Sequence, residues 1–124
     1  MFSDEKMILD IRLNTLSDYV DKFVIVESKY KHNGDIKSKN FDINQFSKFK
    51  NKIIYIFLDK EPEGLVSTLI KKDEDKKKRS LIHNTYLREN FQRNMINKGI
   101  SEANVKDFII VGDIDEIPNL KNID

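Results

Sequence analysis

The chain has 124 residues and no cysteine, a length that suits one domain and a composition that excludes a disulfide framework and a thiolate metal site. With 22 Lys and Arg against 21 Asp and Glu, the net charge is +1, which argues against general nucleic-acid binding. The longest apolar run, residues 53–58, is too short to span a bilayer, so we expect no membrane segment or targeting signal, and a cytoplasmic or unassigned compartment.

The first predicted element is an amphipathic helix from residue 3 to about residue 20. We expect Ser3 to cap this helix, with Asp4 and Glu5 in its first turn, where negative charge suits the helix dipole. Its apolar stripe recurs at steps of three and four residues and consists of Leu9, Leu13, Leu16 and Val20.

Three continuous apolar runs, at residues 23–26, 53–58 and 108–111, predict strands buried on both faces. A short helix is predicted at 40–49, and a longer one at about 80–98 with Gly99 as its C-cap. The predicted buried row of the longer helix is Leu87, Phe91 and Met95. Strands that alternate with helices indicate an α/β protein with a parallel sheet, whose open edge favours self-association or pairing with a partner.

The charged segment 71–79 (KKDEDKKKR) contains no apolar residue. We therefore expect it to be a solvated loop or an exposed extension of the following helix. Three acidic residues interrupt its basic run, which argues against a phosphate or RNA patch.

The strongest chemical signal follows the last predicted strand, where Asp113 and Asp115 form a D-x-D motif. In extended backbone, residues two apart point to the same side, so the two carboxylates converge while Ile114 turns back into the protein. Paired carboxylate oxygens suit Mg²⁺ or Mn²⁺ with a substrate diphosphate. The alternative interpretation is that these carboxylates cap a following helix.

Three further features lie near the predicted carboxyl ends of the strands. Glu27 follows the first apolar run and could accept hydrogen bonds either from a ligand or from a nearby backbone turn. Arg93 is spaced to pair with Glu89 on the long helix, either as a surface pair or as a cation that meets a phosphate or orients Asp115. The polar loop 30–35 either closes over a ligand or forms only a turn.

Taken together, these segments resemble glycosyltransferase family 17, the family of the β-1,4-mannosyl-glycoprotein N-acetylglucosaminyltransferases. The resemblance runs through nearly the whole chain. It rests on Glu5, Leu9, Ile11, Arg12 and Leu13 of the first helix, V-D-K-F-V-I-V-E-S at 20–28, Tyr30 and Gly34, K-I-I-Y-I-F-L-D at 52–59, R-E-N-F-Q-R at 88–93 and D-I-D-E-I-P at 113–118.

The resemblance implies a Rossmann-like GT-A fold in which Asp113 and Asp115 form the site of a divalent cation, Mn²⁺ or Mg²⁺, on the diphosphate of a nucleotide sugar. Asp115 is implied as the direct ligand and Asp113 as a contact to the ribose or around the metal. The implied donor is UDP-GlcNAc and the implied acceptor a glycan hydroxyl, with inversion at the anomeric carbon. Glu27, Arg93 and Asp113 are the expected substrate-binding residues.

By comparison with the family, residues 1–124 are expected to form a partial, apparently truncated domain, the donor-binding half without the acceptor half. The general base is then expected outside this half. The alternative expectation is a truncated, non-catalytic module that binds a nucleotide sugar or a partner. Animal members of the family are Golgi membrane proteins, whereas these residues contain no anchor.

Overall fold

Two parallel strands organise the fold, β1 (Phe23–Ser28) and β2 (Ile53–Leu58), paired so that Phe23 lies opposite Ile53 and Ser28 opposite Leu58. The computed structural model describes residues 1–68 and 73–122. The other elements, in chain order, are α1 (Lys6–Leu16), a 3₁₀ helix (Ile43–Phe49), α2 (Glu74–Asn94) and α3 (Ile96–Gly99). The predicted α/β class is therefore confirmed.

The hydrophobic core lies on one face of the sheet. Side chains alternate along a strand, so Phe23 and Ile25 of β1 share this face with Tyr55 of β2. Phe41 lies among them, and its ring stacks on Tyr55 at 4.4 Å and on Phe46 at 5.7 Å between centroids. The predicted apolar stripe of α1 is confirmed as its contribution to this core, through Leu9, Leu13 and Leu16.

Helix α1 is shorter than the sequence pattern predicts. It begins at Lys6, because the Glu5 carboxylate accepts hydrogen bonds from the backbone N–H groups of Ser3 and Asp4 and so closes a turn before the helix. Ser3 is not its N-cap, and its first turn contains no acidic residue, so both of these predictions are wrong.

Helix α2 begins within the charged segment. Asp73 is its N-cap, and the Asp73 carboxylate accepts hydrogen bonds from the N–H groups of Asp75 and Lys76. The segment is therefore an exposed helical extension from Glu74 onward, while Lys71 and Lys72 lie outside the described residues. Within residues 1–68 and 73–122, no helix combines the length and the apolar character needed to cross a membrane.

The buried face of α2 is polar, contrary to the prediction. Leu87, Phe91 and Met95 are only half-buried. The buried side chains recur every four residues along the helix and are Ser80, Asn84, Arg88 and Gln92. The spacing of the apolar residues identified the stripe next to the one that is buried. That spacing gives no information on whether loops elsewhere in the chain can form hydrogen bonds with a buried row of polar side chains.

The carboxyl end of the long predicted helix is also different. Helix α2 ends at Asn94, and Gly99 is the last residue of the separate helix α3, with Ile100 as the cap. Gly99 packs so closely against the Val24 side chain that a Cβ atom there would overlap Val24 Cγ1. The glycine therefore serves close packing of α3 on the sheet rather than helix termination.

Residues 108–111 do not form the predicted third strand. They lie in irregular backbone with exposed side chains, Phe108 being 94% exposed. A groove of about 640 Å³ is lined by this segment, by β1 and by α1. Since a strand needs a hydrogen-bonded neighbour, a strand-forming sequence held across a groove from β1 stays unpaired.

On the edge of β1 that faces away from β2, Phe2 forms a parallel bridge to Glu27, and Phe2 N donates to Val26 O at 2.9 Å. Self-association or partner pairing through this edge stays a prediction.

Candidate functional site

A cavity of about 650 Å³ lies at the carboxyl end of β1, where parallel sheets of α/β proteins place their ligands. Ser28, the last residue of β1, is in its wall. The polar loop after β1 forms one side, and the D-x-D residues Asp113 and Asp115 form another. Its other lining residues include Tyr30, His32, Asn33, Glu89 and Gln92.

Asp113 and Asp115 line this cavity from a closed turn, residues 112–116, called the acidic turn below. The turn is held by a hydrogen bond from Glu116 N to Asp113 O at 3.1 Å and by one from Asp113 N to Glu116 Oε2 at 2.9 Å. Ile114 is half-buried and packs against the core, as predicted, but the backbone here is a turn and not the extended segment on which the alternation depends. No helix follows these residues in the described chain, so the helix-capping alternative is wrong.

Arg93 forms the pair with Glu89 that its spacing predicts and also reaches the acidic turn from α2, as the alternative interpretation has it. Its Nη2 lies 3.5 Å from Asp113 Oδ1 and 3.3 Å from Glu89 Oε1. The guanidinium therefore combines the surface pair with a contact to the acidic turn. Its carboxylate partner in the motif is Asp113, whereas the sequence interpretation had considered Asp115.

The candidate ligands for a divalent cation are the two carboxylates of Asp113 and Asp115. Within residues 1–68 and 73–122, no three His, Cys, Asp or Glu side chains are grouped closely enough to hold a metal ion. Mg²⁺-type cations are commonly held by one or two carboxylates with substrate phosphates and water as the other ligands. Asp113 and Asp115 on the wall of one cavity fit that mode of binding.

Glu27 is fully buried, and its carboxylate is satisfied from within the protein. Oε1 accepts hydrogen bonds from Lys37 Nζ at 2.5 Å and Asn40 N at 2.7 Å, and Oε2 accepts from Phe41 N at 3.0 Å and Tyr55 Oη at 2.7 Å. Of the two uses considered for Glu27, the structure shows the contact to a backbone turn. A role in donor binding stays a prediction.

The electrostatics of Glu27 follow from these contacts. Burial by itself raises the pKa of the Glu27 carboxyl, but the hydrogen bonds donated by Lys37, Asn40, Tyr55 and Phe41 outweigh it, and the pKa is lowered from its usual 4.5. Burial and the hydrogen bond to Glu27 raise the pKa of Tyr55. Glu27 is thus a buried anion that fixes the segment 37–41 against the sheet.

The polar loop on the cavity wall is held by α2. Gln92 Nε2 donates to Tyr30 O at 3.3 Å, and Gln92 Oε1 lies 3.3 Å from His32 Nε2. Arg88 donates to His32 O at 3.3 Å and forms a bidentate pair with Glu61, both closest N–O distances being 2.8 Å. Sequence reasoning missed this set, although Arg88 and Gln92 have the i, i+4 spacing of one helix face.

Arg12 is the other residue whose place sequence reasoning missed. It lies next to Leu13 in α1, and its guanidinium contacts the acidic turn. Nη1 donates to Asp113 O at 2.9 Å, to Ile114 O at 3.4 Å and to Glu116 O at 2.5 Å. The available signal in the sequence was a cation beside the apolar stripe of a helix. Its partners are about one hundred residues away along the chain, so the sequence did not identify them.

Comparison with known proteins identifies the family. The family model described as Glycosyltransferase family 17 matches residues 1–124. The chain is 28% identical over 115 residues to the human and rat proteins named beta-1,4-mannosyl-glycoprotein 4-beta-N-acetylglucosaminyltransferase, and 27% identical to the mouse protein of that name. Each match covers 90% of this chain and 19% of the relative, so the chain spans about a fifth of their length. No solved structure matches it. The match over its whole length shows that the chain belongs to glycosyltransferase family 17.

Proposed function

We propose that the chain forms the nucleotide-sugar-binding part of a metal-dependent glycosyltransferase. The observation that carries the proposal is the placement of Asp113 and Asp115 on one cavity wall at the carboxyl end of β1, in a chain of this family. In this proposal the two parallel strands are part of a Rossmann-like GT-A sheet.

The proposed donor is UDP-GlcNAc, in keeping with the names of the relatives, and the proposed acceptor is a glycan hydroxyl. The cavity, at about 650 Å³, lies within the usual range of small-molecule sites. The wall formed by Tyr30, His32 and Asn33 offers aromatic and polar groups for the nucleoside. Inverting transfer with a UDP-sugar donor is part of the same proposal.

Asp113 and Asp115 would hold Mn²⁺ or Mg²⁺, with the donor diphosphate supplying further oxygen ligands. When bound, the cation supplies Lewis-acid stabilisation of the charge that develops on the departing nucleoside diphosphate. Arg93 adds a fixed positive charge beside Asp113, at 3.5 Å, and is placed to contact a phosphate. The chain's own residues thereby orient the donor and offset its negative charge.

The proposal is tested by titrating UDP and UDP-GlcNAc into the folded chain by calorimetry, with excess Mn²⁺ and with EDTA. We expect saturable binding that requires Mn²⁺. Asp115→Asn should weaken it at least tenfold, because a neutral amide is a poorer ligand for a hard cation. Asp18→Asn, which removes an exposed carboxylate just after α1, is the matched control and should bind normally. A folded protein that binds neither nucleotide in Mn²⁺ would refute the proposal.

A further inference from the structure

We propose that Arg12 is a positioning residue for the acidic turn 112–116, which it holds by the backbone so that both D-x-D carboxylates stay directed at the cavity. This inference rests on the proposed function, since it concerns the same site. Arg12 touches no reacting group in this arrangement and acts only through Asp113 and Asp115.

The contacts of Arg12 are with neutral carbonyl groups within the motif and directly after it. Nη1 donates to the carbonyl oxygens of Asp113 and Ile114 and, beyond Asp115, to that of Glu116. Three carbonyls converging on one nitrogen fix the curvature of the turn. The two N–H groups of Nη1, shared among the three carbonyl oxygens, are held in the plane of the guanidinium, whereas the N–H groups of an ammonium rotate freely.

Because Arg12 donates to backbone carbonyl groups, it does not occupy the carboxylates of Asp113 and Asp115, which a cation would need. A guanidinium beside acidic residues commonly forms a bidentate pair with one of them, which would occupy the oxygens a cation needs. Instead, within residues 1–68 and 73–122 the Asp115 carboxylate has no hydrogen bond or ion pair, and Asp113 shares one oxygen with Arg93. The charge of Arg12 nevertheless reduces the repulsion between the acids.

The electrostatic setting agrees with this geometry. Burial lowers the pKa of Arg12, while the negative charges of Glu116 and Asp115 act in the opposite direction. An arginine stays protonated throughout the physiological range. The acidic turn therefore carries a permanent cation on its inner side.

Arg12 lies on a helix that is packed firmly into the hydrophobic core. Its neighbour Leu13 is fully buried, and Leu9 and Leu16 anchor the same helix in the core. Ile114 of the acidic turn and Ile117 directly after it pack against that core. A site residue held by a packed element and by backbone hydrogen bonds is positioned more sharply than one on a free loop.

The test compares Arg12→Met and Arg12→Lys with Arg79→Met, which removes an exposed arginine of α2. The first readout is amide hydrogen exchange of residues 112–116 in metal-free protein. The second is the apparent Kd for UDP in excess Mn²⁺. Far-UV circular dichroism and cooperative urea unfolding identify the folded variants, and Arg12→Lys serves if Arg12→Met does not fold.

We expect faster exchange in the turn and a Kd raised about tenfold to a hundredfold in Arg12→Met, the range typical of groups that orient metal ligands. Arg12→Lys should be intermediate, because one ammonium can replace part of the carbonyl contacts, and Arg79→Met should match the wild type. Unchanged exchange in a folded variant, or faster exchange with an unchanged Kd, overturns the inference.

Different results would refute the proposed function and the proposed role of Arg12. If the wild type does not bind UDP in Mn²⁺, the proposed function is refuted, while the exchange comparison still decides whether Arg12 holds the turn. If the wild type binds and both Arg12 variants bind equally well, the role of Arg12 is refuted and the proposed function stands.

Discussion

Replacing Glu27 with Gln tests whether a buried carboxylate organises the fold around the candidate site. The change keeps the size of the side chain but replaces one acceptor oxygen with an NH₂ group. Each Glu27 oxygen accepts two hydrogen bonds. In either orientation of the glutamine amide, its NH₂ group therefore faces two of these donors and cannot accept from them. One of the four donors, Lys37, also loses its counter-charge.

The expected loss of stability follows from these contacts. Removing one partner of a buried ion pair costs about 3–5 kcal/mol, since the other charge stays buried without compensation. The total free energy of unfolding of a typical domain is about 5–15 kcal/mol. Glu27→Gln should therefore remove a large part of it, and Tyr55→Phe, which removes one hydrogen bond to the same carboxylate, should cost about 1.5–3 kcal/mol.

The assay is urea unfolding at pH 7 followed by circular dichroism, repeated towards low pH. The folded pKa of Glu27 is lowered from 4.5, so its stabilising contribution is complete above pH 4.5 and is lost as the pH falls through the folded value. The difference in stability between the wild type and Glu27→Gln should therefore narrow below pH 4.5. A difference under 1 kcal/mol at pH 7, or one independent of pH, would refute this reasoning.

Substitutions of three glycines give further predictions. Gly34 has φ of +97°, and a Cβ atom there would lie 2.8 Å from Arg88 Nη2, so Gly34→Ala should destabilise by about 1–3 kcal/mol in the same urea assay. Gly64, with φ of +84° and an ordinary 3.6 Å contact, is its control; Gly64→Ala should show the backbone cost alone, and equal losses would contradict the Arg88 clash. Gly99→Ala should cost about 1–3 kcal/mol through overlap with Val24, and a smaller residue at 24 should recover part of it; a double variant without recovery would exclude that contact as the cause.

Prediction from the sequence succeeded where the signal was local. The apolar stripe of α1 and the composition of β1 and β2 identify their elements, because spacing along one segment shows which side chains share a face. Asp113 and Asp115 both line the cavity, as predicted, but they do so from a turn, whereas the prediction assumed extended backbone.

Prediction failed where a second segment decides the outcome. Residues 108–111 have a strand-forming sequence, but pairing depends on a neighbour across the groove beside β1. The α2 row containing Arg88 and Gln92 is buried because the loop at 30–32 and Glu61 satisfy it. Nothing in α2 alone shows that those partners exist.

The sequence by itself determined the α/β class, the family and the pair of acids at the proposed metal site. Only the tertiary structure decided that Glu27 is an internal anion, that Arg93 contacts Asp113, and that Arg12 closes the acidic turn from α1. The physical reason is that burying a polar group is favourable only when its hydrogen-bond partners are in place. In this chain those partners are supplied by segments brought together by folding.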